Sequence, residues 1–331
     1  MKEITIQIFQ LGSLIMNSDQ VILDKINKIM QLVIVSSEFN AAYKGILLCA
    51  EKNKTYAQPF GCLLLAKGGL GKTTLCQTIV KKHPPIYRTE EGFKKSIVPV
   101  FYIEVPSPAT VKSVASCMLN ALHDPAPFSG STAQMNYKLV ALLKVCETRL
   151  IFMDEFHHLF DLQTSTKRMN TVVCNWIKTL VNETGICFCL VGLPEFESLL
   201  KIDSQLARRF SQTFKLNQLK VTKIDEPGTL HAFLHQISLN IEKYLHIKFE
   251  PSLTSQLLAL QIYIATNGHH AYLMLLLENC LFQVMKEDKY TITIEEFIKA
   301  WDDGITSYIS KTKSNPFRLD MTSISSKIRN T

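Results

Sequence analysis

No stretch of this sequence approaches the ~18 consecutive apolar residues that a membrane span requires, so a transmembrane protein is not expected. The N-terminal region also lacks a basic start followed by a long apolar core, so no secretory leader is expected. No C-x-x-C pair occurs among the nine cysteines, and their number is odd. Buried free thiols of a reducing cytoplasm are therefore expected, rather than a disulfide framework or a thiolate metal site. Cys187-Phe188-Cys189 lies in an apolar run, where strand alternation puts both thiols on one face. No internal repeat and no low-complexity block is present. Charge is only mildly unbalanced, +7 over the whole chain, which permits contact with nucleic acid without establishing it. The 331 residues, 47% of them hydrophobic, suffice for one large domain or two packed ones.

One stretch organises the rest. Ala66-Lys67-Gly68-Gly69-Leu70-Gly71-Lys72-Thr73-Thr74 follows an apolar run (Cys62 to Leu65) and precedes a helix-compatible one (Leu75 to Val80). This is the strand–loop–helix context of a phosphate-binding loop. Glycines let the backbone wrap an anion without Cβ interference. Successive N–H groups and the positive end of the next helix then favour phosphate. The pattern assigns nucleotide contacts to Gly68, Gly69, Leu70, Gly71, Lys72, Thr73 and Thr74. Lys72 is expected to reach the β/γ-phosphates of ATP, and Thr73 to hold Mg²⁺. Ala66 stands where the first glycine of the pattern is usual.

Upstream, Ile4, Ile6 and Ile8 alternate as in a strand or extended arm, and two helical faces follow, one from Ile22 to Val33 and one from Phe39 to Ala50. Both helices are expected to pack on the nucleotide domain. Downstream, His83-Pro84-Pro85 ends the first helix after the loop. Ile97 to Val105 reads as one strand, and Ser107-Pro108 as an N-cap with proline at N1. A helix follows, then a loop over Asp124 to Ser131, then a helix over Met135 to Cys146.

Leu150-Ile151-Phe152-Met153-Asp154-Glu155 reads as a buried strand with two carboxylates at its C-terminal edge, where ligands bind in open parallel sheets. Asp154 is expected to hold Mg²⁺ through water, and Glu155 to polarise the water that attacks the γ-phosphate. His157 and His158 are adjacent, a poor spacing for sharing a metal, and read as packing groups or as supports behind the acidic residues. Ile186 to Val191 is the next strand. Arg208 and Arg209 then form either a solvated helix end or an arginine finger aimed at a neighbour's nucleotide. Beyond Asp225-Glu226-Pro227-Gly228 the chain reads as helical, with Thr293 and Glu296 spaced as a capping box. Lys311 to Thr331 carries five basic residues against one acid, Asp320, and reads as a mobile basic tail. The expected division is an N-terminal arm with helices (1–57), a nucleotide-binding α/β subdomain (58–222), a helical lid (223–308) and the tail (309–331).

Two families compete for the loop. Lys67 to Thr74 resembles the ParA/MinD partition ATPases, with Lys67 as their signature lysine. The order of motifs instead resembles the AAA+ ATPases, and within them the TniB/TnsC transposition regulators. Ile151 to Leu159, Leu190-Val191-Gly192-Leu193-Pro194-Glu195 and Gln205-Leu206-Ala207-Arg208-Arg209-Phe210 carry this second resemblance. It spans about residues 20–305. It implies an AAA+ P-loop NTPase core, a parallel sheet flanked by helices, with a C-terminal helical lid. It also implies ATP-dependent homo-oligomeric rings or filaments on double-stranded DNA, contacting a transposase and a target-selection protein, with the protein cytoplasmic and DNA-associated. Glu155, Lys72 and an arginine from Arg208 or Arg209 take the catalytic roles, and Thr73 and Asp154 the metal roles. Thr110, Lys112 and Ser113 take the DNA-backbone contacts, with Lys94 and Lys95 as weaker candidates. Leu193, in place of a polar sensor residue, and the lack of a lid arginine near Gly268-His269-His270-Ala271 imply slow, regulatory hydrolysis. A helicase loader shares most of these motifs. A STAND-like switch, binding nucleotide without hydrolysis, is a further reading that Glu155 argues against.

Overall fold

A computed structural model describes residues 19–56, 58–90, 92–159, 167–201, 204–221 and 228–329. The expected strand over Ile4 to Phe9, and Asp225-Glu226-Pro227, lie outside the described residues. The described residues divide into two compact units: one lies within Ser37–Asn217, and the other joins those up to Ser36 with those from Gln218 onward.

The first unit is built on five parallel strands, β1 (Cys62–Leu65), β4 (Val100–Glu104), β5 (Leu150–Asp154), β6 (Cys187–Gly192) and β7 (Gln212–Lys215), in the order β4-β5-β6-β1-β7. Strands β1, β5 and β6 are buried along their whole length. That is the signature of a parallel sheet covered by helices on both faces. Alternation sorts the side chains. Leu63, Leu65, Ile151, Met153, Phe188 and Leu190 join α4 (Val111–Ala121), α5 (Thr132–Val145) and α6 (Lys167–Thr184) in one core. Cys62, Leu64, Phe152, Cys187 and Cys189 join α2 (Ser37–Lys52) and α3 (Lys72–Lys82) in the other. Cys187 and Cys189 thus share a face, and all nine cysteines are free thiols.

Two expectations are corrected within this unit. The run Ile97 to Val105 is not one strand. Its start ends a hairpin, β2 (Ile86–Glu90) with β3 (Phe93–Ile97), which sequence reading left unassigned; β4 begins only at Val100, after Pro99. Ser107-Pro108 does not cap a helix but forms a cis peptide bond in the connection. Helix α4 starts three residues later, where Thr110 and Ser113 form the capping box.

The second unit is helical: α9 (Thr229–Leu245), α10 (Gln256–Thr266), α11 (His270–Lys286) and α12 (Ile294–Asp302) surround a core of Leu234, Ile237, Ile262, Leu276, Leu277 and Phe297. Two more expectations change here. The first N-terminal helix, α1 (residues 19–30), joins this unit, not the nucleotide domain: Ile26 and Ile29 are buried in the helical core. The described residues of the expected mobile tail, 311–329, are also folded. Phe317 is 3% exposed, and α13 (Met321–Arg329) buries Ile324 against Leu260 and Ile264. Apolar spacing within a charged segment, Phe317, Leu319 and Ile324, is what overrides its polar average.

Candidate active site

The loop after β1 begins with Ala66, whose N–H donates to the Gly192 carbonyl at 3.1 Å. Ala66 is buried and outside the left-handed region, which is why a Cβ is tolerated there. Gly69 and Gly71 do need glycine, with φ of 71° and 91°. Gly71 caps α3, so Lys72, Thr73 and Thr74 form its first turn, with Gly68 and Leu70 in the loop before it. No heavy atom lies within 4 Å of a Cβ added at Gly68 or Gly71, so both glycines face open space. Lys72 is 5% exposed. Its Nζ donates to the carbonyls of Ala66 at 3.1 Å and Lys67 at 3.4 Å. Among the described residues its hydrogen-bond partners are carbonyls and no carboxylate, which leaves the head group open to an anion.

The end of β5 completes the arrangement. Asp154 is 1% exposed, and its Oδ2 accepts from Thr73 Oγ1 at 2.6 Å and from the Tyr102 hydroxyl at 3.0 Å. Its Oδ1 accepts from the Glu155 N–H at 2.9 Å. Burial first, and then the Asp154 charge, hold the Tyr102 hydroxyl well above its ordinary pKa. A hydroxyl and a carboxylate side by side are the hard oxygen donors that Mg²⁺ takes. Thr73 and Asp154 therefore fit that ion, and the loop and Lys72 fit a polyphosphate. Tyr102 was not anticipated; its only sequence signal is a tyrosine two residues from the C-terminal edge of a buried strand.

Glu155 adopts φ 52°, a left-handed conformation uncommon outside glycine. The chain thereby turns from β5 into one 3₁₀ turn, Phe156–Leu159. Phe156 is fully buried edge-on to Phe196, ring centroids 5.2 Å apart, and anchors that turn. The turn gathers three side chains. His157 Nδ1 lies 3.3 Å from Glu155 Oε2, and the two histidine rings are 4.5 Å apart. His157 Nδ1 is close enough for Coulomb attraction yet makes no directed hydrogen bond. Burial pushes its pKa down, opposed by Glu155. His158 Nδ1 meets the Val105 carbonyl at 3.1 Å. Of the two expected roles, His157 takes the one beside the acidic residues.

Arg208 and Arg209 end α8 (Ser204–Arg209), just before β7. The Gly61 N–H donates to the Arg209 carbonyl at 2.9 Å, and Cys62 pairs with Gln212. The arginines therefore stand at the N-terminal end of the sheet, whereas the phosphate loop leaves the C-terminal end of β1. Arg209 donates through Nε at 3.2 Å and Nη2 at 2.9 Å to Asn182 Oδ1 on α6. Arg208 is exposed and, among the described residues, has no hydrogen-bond or ion-pair partner.

Thr110, Lys112 and Ser113 share the first turn of α4. The Ser113 N–H donates to Thr110 Oγ1 at 3.0 Å, and the Thr110 N–H donates to Ser113 Oγ at 2.8 Å. Those two side chains are committed to the cap, while Lys112 is exposed. On the hairpin, Lys95 pairs with Glu147 at 2.8 Å, and Lys94 lies over the Tyr87 ring at 4.3 Å.

No curated protein matches the chain. Solved structures do match its fold. CDC6P from Pyrobaculum aerophilum aligns with a TM-score of 0.58 at 13% identity, covering 84% of this chain and 70% of that one. The Aeropyrum pernix ORC2 protein, in its ADPNP-ADP complexes, aligns at 0.56 and 16%, covering 86% and 71%. The Aeropyrum pernix ORC1 protein in complex with DNA aligns at 0.51 and 15%, covering 82% and 66%. The fold is thus that of AAA+ P-loop NTPases, with the helical region following the sheet. The family model described as bacterial TniB protein matches residues 48–220. That match covers more than half of the sequence and decides between the two phosphate-loop families: the chain belongs to the TniB family.

Proposed function

We propose that the protein is an ATP-dependent regulator of DNA transposition that assembles as a homo-oligomer on duplex DNA and links a target-selection protein to a transposase. One observation carries the ATPase part: Lys72, Thr73, Asp154 and Glu155 converge at one edge of the sheet, with Thr73 Oγ1 2.6 Å from Asp154 Oδ2. Lys72 would bind the β/γ-phosphates, and Glu155 would accept the proton of the attacking water. Thr73 and Asp154 would hold Mg²⁺, which when bound neutralises charge on the phosphate oxygens.

The arginines favour assembly. They lie a strand length, about 13 Å or more, from the loop of their own subunit. An arginine there serves only another subunit's nucleotide. Arg208 is the better finger, because Arg209 is held by Asn182. DNA-backbone contact is assigned to the exposed Lys112, with Thr110 and Ser113 supporting its turn. Contacts of this kind give salt-sensitive binding without sequence preference. The transposition role rests on family membership.

The test is particle size by light scattering and electron microscopy, for protein alone, with ATP, with duplex DNA and with both, in wild type and Lys72→Ala. Rings or filaments formed only with ATP and DNA, and lost in Lys72→Ala, are expected. A complex with a helicase ring in place of a transposase would instead mark a helicase loader. Unchanged size in every condition would leave a nucleotide-binding scaffold.

A further inference from the structure

Beside the acidic edge, Glu155, His157 and His158 each bring a ligand atom to within 4.8 Å of the other two. Adjacent histidines on a strand point to opposite faces and cannot share an ion. Here the left-handed Glu155 and the 3₁₀ turn bring them together instead, with ring centroids 4.5 Å apart. The second-layer contacts also suit a metal. His158 donates from Nδ1 to the Val105 carbonyl at 3.1 Å, which fixes the tautomer that leaves Nε2 as the lone-pair nitrogen. His157 Nδ1 is buried, without a directed hydrogen bond, and faces Glu155 Oε2 at 3.3 Å. That spacing matches the roughly 3.4 Å between neighbouring ligands of a tetrahedral ion with bonds of about 2.0–2.1 Å.

We infer that Glu155, His157 and His158 form a site for a borderline divalent ion of the Zn²⁺ class, distinct from the Thr73–Asp154 pair. Two imidazoles and one carboxylate select zinc-like ions over Mg²⁺, which prefers oxygen and sheds its water reluctantly. Three protein ligands leave a fourth position open to water. Occupation engages the Glu155 carboxylate lone pairs, so Glu155 no longer accepts a proton from water. The site itself stands on these side chains alone; its inhibitory consequence rests on the ATPase reading above.

The test uses the full chain, nucleotide-free and stripped of metal, titrated with Co²⁺ as the spectroscopic probe. One equivalent is expected to give the intense visible absorption of a four-coordinate ion, without a thiolate charge-transfer band, and Zn²⁺ is expected to displace it. His157→Gln and His158→Gln should each weaken Co²⁺ binding more than tenfold while circular dichroism stays unchanged. X-ray absorption on the zinc-loaded wild type checks the ligands without relying on any variant. A shell of nitrogen and oxygen with two imidazoles supports the site. Sulfur in the shell, a thiolate band, or equal Co²⁺ binding in both variants overturns it. Zn²⁺ should then inhibit ATP hydrolysis by the wild type, and His158→Gln should need more than tenfold higher Zn²⁺ for the same inhibition. A formed site with hydrolysis unaffected by Zn²⁺ overturns the inhibitory role. An absence of hydrolysis in metal-stripped protein with Mg²⁺ and ATP would count against the ATPase reading and leave the site standing.

Discussion

Asp154 Oδ2 accepts from two side-chain donors, Thr73 Oγ1 and the Tyr102 hydroxyl, while its other oxygen is held by the Glu155 N–H. Tyr102 and an incoming Mg²⁺ therefore compete for the same oxygen. Tyr102→Phe is expected to lower the half-saturating Mg²⁺ for nucleotide turnover a few-fold, at a stability cost of about 1 kcal/mol for the lost hydrogen bond. Mg²⁺ titration and denaturant unfolding measure the two effects separately. The arginine pair separates in the same way. Arg209→Ala loses the grip on Asn182 and should lower stability by no more than about 1 kcal/mol, because the contact is partly solvated. Arg208→Ala should leave the melting temperature unchanged. It should nevertheless abolish hydrolysis alone and recover it in mixtures with Lys72→Ala subunits, which supply the arginine to its intact loop. The convergence of Thr73, Asp154 and Glu155 was legible in the sequence, because a glycine-rich strand–helix loop and a carboxylate pair ending an apolar run each leave a local pattern. Tyr102, Asn182 and the clustering of the two histidines were not. Each arises from a contact between distant segments or from one left-handed residue, and neither leaves a periodic trace.

At the scale of elements, helix α4 shows why a start signal can mislead. Ser107-Pro108 has the residue types of an N-cap and N1, yet the helix begins at Val111 because Thr110 and Ser113 satisfy each other's backbone N–H groups. The hairpin β2–β3 escaped for another reason. Its strands carry Arg88, Glu90, Lys94 and Lys95, so its apolar alternation is interrupted by charges, of which Arg88 pairs along β2 with Glu90 and Lys95 pairs across to Glu90 and with Glu147. The buried strands β1, β5 and β6 were clear, because a sheet covered on both faces demands continuous apolar runs. The cap predicts a division of labour. Thr110→Ala should cost about 1 kcal/mol of stability. Lys112→Ala should leave stability unchanged, weaken binding to duplexes of any sequence alike, and reduce the salt slope of binding by about one. Unfolding curves and binding isotherms at several salt concentrations test both.

At the scale of the whole molecule, the segment after Ser310 belongs to the core of the helical unit. Phe317 packs on Phe297 with ring centroids 5.2 Å apart. Gln261 is 3% exposed and donates from Nε2 to the Leu319 carbonyl at 3.0 Å, so its buried amide depends on this segment. Asn315 donates to the Ile298 carbonyl at 3.0 Å and to Asp302 Oδ1 at 2.8 Å, and Arg318 reaches Asp302 Oδ2 at 2.7 Å. Phe317→Ala should therefore cost about 3–5 kcal/mol, as a buried aromatic does when truncated. Ending the chain at Ser310 should unfold the helical unit, because it leaves the Gln261 amide unpaired and uncovers Phe297, Leu260 and Ile264. Lys313→Ala, at an exposed position, serves as the control and should change stability by less than about 0.5 kcal/mol. Acid offers a second handle on this anchor. Hydrogen bonds from Asn315 and then Arg318 hold the Asp302 carboxyl below its ordinary pKa in the folded protein. The unfolded chain then binds that proton more readily. The contribution is complete above the ordinary aspartate pKa of about 3.9 and is lost as pH falls below it. Asp302→Asn should remove this part of the acid sensitivity, and a Phe317→Ala protein as stable as wild type would return the segment to the role of a detachable arm.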